Sequence, residues 1–169
     1  MNNLVKKFLE LLKEKPCNND KCREIIKEIG ITNTITDNLG FKTTPLHLVI
    51  ESNNYELAME LIYEPEVDLN ISTEDTAPII WDLQYLCCEN DNVISISERR
   101  LKLLRKIIEL GADSNPVVEG EDLISYIRFK LSENEETSNV YNHLKQMERI
   151  ITESYQKGLN IKRYNTNIG

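Results

Sequence analysis

Two segments of this chain begin alike: Thr43-Thr44-Pro45-Leu46-His47-Leu48 and, 33 residues later, Thr76-Ala77-Pro78-Ile79-Ile80-Trp81. Proline is favoured in the first turn of a helix, where its missing N–H would have no partner anyway, so each segment marks a helix start. The far ends repeat as well, at Ile29-Gly30-Ile31-Thr32-Asn33, Val67-Asp68-Leu69-Asn70, Leu110-Gly111-Ala112-Asp113-Ser114-Asn115 and Lys157-Gly158-Leu159-Asn160. Three of the four place glycine where a helix stops, and the Asp or Asn that follows suits a tight turn. The asparagines at 33, 70, 115 and 160 space the units 37, 45 and 45 residues apart. Such a period constrains the fold strongly, because one short unit cannot bury its own apolar face and must stack on a neighbour.

Within each unit the apolar residues recur at helical spacing, twice. Leu4, Phe8, Leu11 and Leu12 share one face, and Cys22, Ile25, Ile26 and Ile29 another, with the break at Pro16 to Asp20. Residues 45–52 pair with 55–64, 78–88 with 98–110, and 121–131 with roughly 138–157. The strongest stripe is Leu101, Leu104, Ile107 and Ile108, and Leu144, Met147, Ile150 and Ile151 form the last. Four helix hairpins and no long strand are expected.

Thr44-Pro45-Leu46-His47 followed by a helix pair, and an ending of Gly111, Ala112, Asp113 and Asn115, resemble the ankyrin repeat. Pro78 stands at the matching place in the third unit, and Asp37 and Gly40 fill the turn before the first helix of the second. The resemblance implies an all-α solenoid of about four stacked units, approximately 3–36, 37–71, 72–116 and 117–161, in a single domain of residues 1–162 with a tail at 163–169. The first and last units lack T-P-L-H, as terminal caps with one polar outer face do. Two extra residues lie between Gly40 and Pro45, Ile80 replaces the motif histidine in the third unit, and longer segments join the helices at Cys87 to Ser97 and Leu131 to Val140. Insertions in a solenoid fall on one side of the stack, so these two are expected to be neighbours.

A chain of 169 residues with 40% apolar and 28% charged content can build a core without staples. Lys6, Lys7 and Glu10 interrupt the N-terminal apolar stretch, which argues against a secretory signal, and no stretch has the length of a membrane span. A cytoplasmic location is expected, with Cys17, Cys22, Cys87 and Cys88 reduced. Their spacing is not that of zinc knuckles, so neither metal nor cofactor is expected. The formal net charge of −8 disfavours nucleic acid and anionic membrane, whose phosphates demand Lys and Arg, and favours encounter with a basic protein.

The nucleophile elbow, phosphate loop, dinucleotide fingerprint and zincin helix are all missing from the sequence. His47 is the tempting general base; the resemblance instead implies that it ties the turn backbone of neighbouring repeats together. His143 reads as a lone, solvated side chain on a polar helix face. Trp81 aligns with Leu48 of the preceding unit and is expected to pack between repeats, with partner contact as the alternative. Phe41, at the tip of a polar turn, is expected as an exposed apolar anchor.

The resemblance implies a non-catalytic module that binds protein through its concave face. The residues expected to meet a basic partner are Phe41, Lys42, Glu74, Asp75, Trp81, Tyr85, Glu89, Asp91, Glu121, Glu133, Glu135 and Glu136. Glu89, Asp91, Glu133, Glu135 and Glu136 come from the two insertions and are expected on one rim. Two roles stay open for a chain that is expected to be monomeric when alone. An inhibitor or immunity protein would neutralise an enzyme or toxin; a viral or intracellular-bacterial adaptor would recruit a cellular factor. An unrecognised enzyme is the third reading.

Overall fold

The computed structural model of the chain describes residues 2–86 and 92–166, with the backbone alone over 158–166. It is mostly helical, 58% helix against 5% strand, which places it in the all-α class. Two compact units divide at Asp82 and Leu83, inside the stretch 72–116 that the repeat spacing groups together. Among the described residues no helix is long and apolar enough to cross a membrane.

In the first unit α1 (Asn3–Lys13) and α2 (Asn19–Ile29) form a packed hairpin. Their starts are fixed by side-chain caps: Asn2 accepts from the Leu4 N–H and Asn18 from the Lys21 N–H, satisfying donors that have no partner within a helix. Val5, Phe8, Leu9 and Leu12 of α1 and Cys22, Ile25 and Ile26 of α2 are buried at helical spacing. At the end of α2, Gly30 adopts φ +94, a conformation that side-chain-bearing residues rarely take.

A two-residue antiparallel ladder follows, β1 (Ile35–Thr36) against β2 (Lys42–Thr43), with Ile35 opposite Thr43 and Thr36 opposite Lys42. Next come α3 (Pro45–Glu51) and α4 (Tyr55–Leu61), which pack on each other. Thr44 caps α3 by accepting from the His47 N–H, and Pro45 occupies its first turn. Residues 45–50 of α3 are buried without interruption, as in a helix enclosed on all sides rather than half-exposed. The unit closes with α5 (Ile79–Asp82).

The second unit holds α6 (Val93–Glu109), a second short ladder of β3 (Val117–Val118) and β4 (Glu121–Asp122), then α7 (Leu123–Glu133) and α8 (Asn139–Thr166). Both α6 and α7 pack against α8. Leu103, Leu104 and Ile107 of α6, Leu123 and Ile127 of α7, and Met147 and Ile151 of α8 are fully buried. Asp122 caps α7 through the Ser125 N–H and hydroxyl.

The repeated endings have one geometry in two places. The carboxylate of Asp68 accepts the Asn70 N–H at 2.9 Å, and that of Asp113 accepts the Asn115 N–H at 3.0 Å. In the second case Asn115 goes on to accept the Ile124 N–H at 2.8 Å, fastening the turn to α7.

Several helix limits differ from the sequence reading. Of the helix expected over 78–88, the described residues through 86 form only α5: Ile79, Ile80, Trp81, Leu83 and Gln84 are buried almost without a break, so the burial has no helical period, and the Trp81 N–H bonds the Pro78 carbonyl in a tight i to i−3 turn. The helix expected from 98 begins at Val93: Val-Ile-Ser-Ile-Ser are weak helix formers, but Val93 is buried and the Ser97 hydroxyl is held by His143 of α8. The supposed long connection at 131–140 shrinks to residues 134–138: Asn134 closes the end of α7 on the Lys130 carbonyl, and Ser138 caps α8 at the Tyr141 N–H. The last helix does not stop at Gly158 but runs on to Thr166, since glycine weakens a helix without forbidding it.

Candidate functional site

The turn face of the first unit collects four of the expected contact residues. Between β1 and β2 the chain reverses over Asp37 to Phe41. The Asp37 carboxylate accepts the N–H of Leu39 at 2.8 Å and of Phe41 at 2.9 Å, and the Asp37 carbonyl accepts the Gly40 N–H at 3.2 Å. With its backbone donors satisfied from within, the turn is held without help from its apolar side chains. These point outward: Leu39 is 79% exposed and Phe41 52%.

Lys42 connects this tip to the next turn. Its N–H donates to the Asp75 carboxylate at 2.6 Å, its carbonyl accepts the Thr73 hydroxyl at 2.6 Å, and its ammonium donates to the Thr36 hydroxyl at 3.2 Å. Thr73 also accepts the N–H groups of Asp75 and Thr76. Phe41, Lys42, Glu74 and Asp75 are therefore brought together at the surface, on two turns locked to each other. Trp81 does not join them; it is 7% exposed, a core side chain.

His47 is 1% exposed. Nε2 lies 2.9 Å from the Ala77 carbonyl, which can only accept, so Nε2 carries the proton and donates. Nδ1 then accepts the Thr44 hydroxyl at 2.8 Å. Burial holds the ring below the ordinary histidine range, partly offset by the bond to Ala77. Both nitrogens of this neutral ring are committed to the fold, and the Asp82 carboxylate stands 3.9 Å from Nε2.

His143 corrects the sequence reading. It is fully buried, with Nε2 donating to the Leu83 carbonyl at 2.8 Å and Nδ1 accepting the Ser97 hydroxyl at 2.7 Å. Burial, then the charge of Arg100, lowers its pKa. Its place was readable: 143, 147, 150 and 151 lie on one helical face, and the other three are apolar. Both histidines of the chain thus sit between a hydroxyl and a backbone carbonyl.

In the second unit Tyr85 is 57% exposed, while its carbonyl accepts from the buried Arg100. Glu121, Glu133, Glu135 and Glu136 are exposed. Glu133 pairs with Lys130 at 3.0 Å, which raises the lysine pKa, so its charge is locally matched. Glu135 and Glu136 lie in the 134–138 connection. Cys87, Cys88, Glu89 and Asp91 lie outside the described residues.

The largest electrostatic feature escaped the sequence reading. Residues 1–82 carry fifteen Asp and Glu against eight Lys and Arg, a net of −7, whereas residues 83–169 carry thirteen against twelve, a net of −1. Neither Lys nor Arg occurs between Lys42 and Arg99. Over residues 43–82 eight carboxylates are exposed: Glu51, Glu56, Glu60, Glu64, Glu66, Asp68, Glu74 and Asp75. Of these, Glu60 pairs with Arg23 of α2 at 3.1 Å. Counting charge along the chain, rather than over all of it, would have found this.

A cleft of about 520 Å³ lies between the ends of α2 and α4, with Ile26 and Leu61 among its apolar lining and Arg23, Lys27, Glu64 and Glu66 among its charged lining. Among the described residues no group of three or more His, Cys, Asp or Glu is placed to hold a metal ion. Comparison with protein-family models, curated proteins and solved structures finds no match to this chain.

Proposed function

We propose that the chain is a non-catalytic protein-binding module of ankyrin-like units that takes a basic protein on the turn face of its first unit. One observation carries this reading: an exposed apolar tip, Leu39 and Phe41, fastened through Lys42 to an acidic turn, Glu74 and Asp75, within a 40-residue stretch that has eight exposed carboxylates and no Lys or Arg. Apolar groups at such a place supply affinity, whereas surrounding charge sets the rate of encounter and the choice of partner. The His47 bond to a turn 30 residues on supports the repeat reading, since it is the linkage the T-P-L-H resemblance implies. That both histidines are committed to internal hydrogen bonds favours binding over turnover.

The test is capture of a partner on the immobilised chain and on a Leu39→Ser, Phe41→Ser variant whose helix content is unchanged. Binding that weakens at least tenfold in the variant supports the tip as the anchor, by about 1.4 kcal/mol; equal binding excludes it. Titration of the captured protein's own activity then separates the two roles. Stoichiometric loss identifies an inhibitor, and unchanged activity with a second protein bound identifies an adaptor.

A further inference from the structure

Cys17 and Cys22 are both reduced, and their sulfurs lie 3.5 Å apart. Cys22 is completely buried on α2, and Cys17 is half-buried in the connection between Pro16 and the capping residue Asn18. A disulfide needs its sulfurs about 2.05 Å apart, so closing the pair takes an approach of about 1.5 Å. Cys17 lies outside any helix and can make that movement, while Cys22 stays fixed by core packing.

We propose that Cys17 and Cys22 form an oxidation site, in which a peroxide attacked by Cys17 is resolved by Cys22 to give an intramolecular disulfide. The exposures set the order. Cys17 is the sulfur a solvent-borne oxidant reaches first; burial, and then the hydrogen bond with Cys17, push the Cys22 thiol up to about 12, so it waits as the protonated partner. The Cys17 thiolate attacks one oxygen of hydrogen peroxide, the O–O bond breaks, and Cys17 becomes a sulfenic acid as hydroxide leaves. The Cys22 sulfur then attacks the sulfenic sulfur; the S–S bond forms, the S–O bond breaks, and the Cys22 proton leaves with the departing hydroxide as water. Overall two thiols lose two electrons and two protons, and one peroxide becomes two waters. At 3.5 Å the Cys22 sulfur is already beside the sulfenic sulfur, placed to compete with a second oxidation of Cys17. The ring it closes contains both Asn18, whose side chain caps α2 at Lys21, and Asn19, whose side chain accepts from Asn54 at the start of α4 at 2.7 Å.

The experiment uses the full chain carrying Cys87→Ser and Cys88→Ser, which leaves only this pair. The reduced protein is treated with equimolar hydrogen peroxide, alkylated and digested with trypsin. Cleavage after Lys13, Lys21 and Arg23 puts Cys17 in peptide 14–21 and Cys22 in the dipeptide 22–23. A disulfide-linked pair of these peptides, from protein that has lost two hydrogens and stays monomeric, is the expected result. Cys17 as sulfinic acid with Cys22 still alkylated, or disulfide-linked dimers, would overturn the proposal. The order is tested separately with Cys17→Ala in the same background, which alters a half-buried site and spares the core. Cys22 should then resist peroxide under conditions that consume both thiols of the parent; its oxidation at the parental rate overturns the assignment of Cys17 as the first target.

Discussion

His47 donates from Nε2 to the carbonyl of Ala77 at 2.9 Å, joining the start of α3 to a turn 30 residues further along the chain. Its Nδ1 is occupied by Thr44, so a single ring satisfies one hydroxyl and one carbonyl inside the core. Replacing His47 with Ala leaves both groups without this partner. An unpaired buried polar group costs roughly 1–3 kcal/mol, and that loss is expected in urea unfolding of His47→Ala, with no change in the unfolding slope. An unchanged midpoint would show that the ring does not bridge the two turns.

Protonation should act on both histidines in the same direction. Their pKa values are lowered in the folded chain, while in the unfolded chain they stay near the ordinary 6.5. The unfolded state therefore binds more protons below pH 6.5. Stability is full above that value and falls as pH drops below it, by up to about 1.4 kcal/mol per pH unit for each histidine. Measured between pH 7.5 and 5.5, above the range where carboxylates titrate, unfolding free energy should decline with pH. The decline should be shallower in His143→Gln; a flat profile in the parent chain contradicts the neutral, buried assignment.

Two glycines that end helices should differ in their tolerance of a side chain. Gly30 and Gly111 both adopt positive φ, +94 and +98, where alanine is strained by roughly 1–3 kcal/mol. A Cβ at Gly30 would also lie 2.5 Å from Nδ2 of Asn33, whereas at Gly111 it meets nothing within 4 Å. Asn33 is not idle there: its amide donates to the Ile29 carbonyl at 2.6 Å, closing the end of α2. Gly30→Ala should therefore destabilise more than Gly111→Ala, by about 1 kcal/mol, the value of one hydrogen bond. Thermal melts of the two variants decide it, and equal or reversed losses would be contrary to the geometry.

Much of the helical framework was legible because apolar spacing and punctuation agree. Asn2, Asn18, Thr44 and Asp122 cap helices where the patterns begin, and Gly30 and Gly111 end them. The pattern failed where burial has no period, as at Ile79 to Gln84, and where weak helix formers carry the first turn, as at Val93 to Ser97. His143 was misplaced because polarity was weighed above its position on the stripe with Met147 and Ile150. Of the contact surface, Phe41 could be anticipated from a large apolar residue in a polar turn. The latch of Lys42 onto Thr73 and Asp75 could not, since it joins turns 31 and 33 residues apart through backbone groups that carry no sequence signal.

The acidic character of the first unit is the part of the functional proposal most directly open to measurement. Association rate with the captured partner is followed against ionic strength for three chains: the parent; one with Glu56, Glu64, Glu66 and Glu74 each changed to Gln; and one with Glu89, Glu133, Glu135 and Glu136 changed to Gln and Asp91 to Asn. Exposed charges are screened over about 8 Å at physiological salt, so the parent rate should fall steeply as salt rises. Neutralising the first-unit set should flatten that fall and slow association at low salt, while neutralising the connection set, which includes the Lys130-paired Glu133, should do less. A parent rate indifferent to salt, or one unchanged by removal of the first-unit charges, would contradict the proposal that a basic protein is the partner.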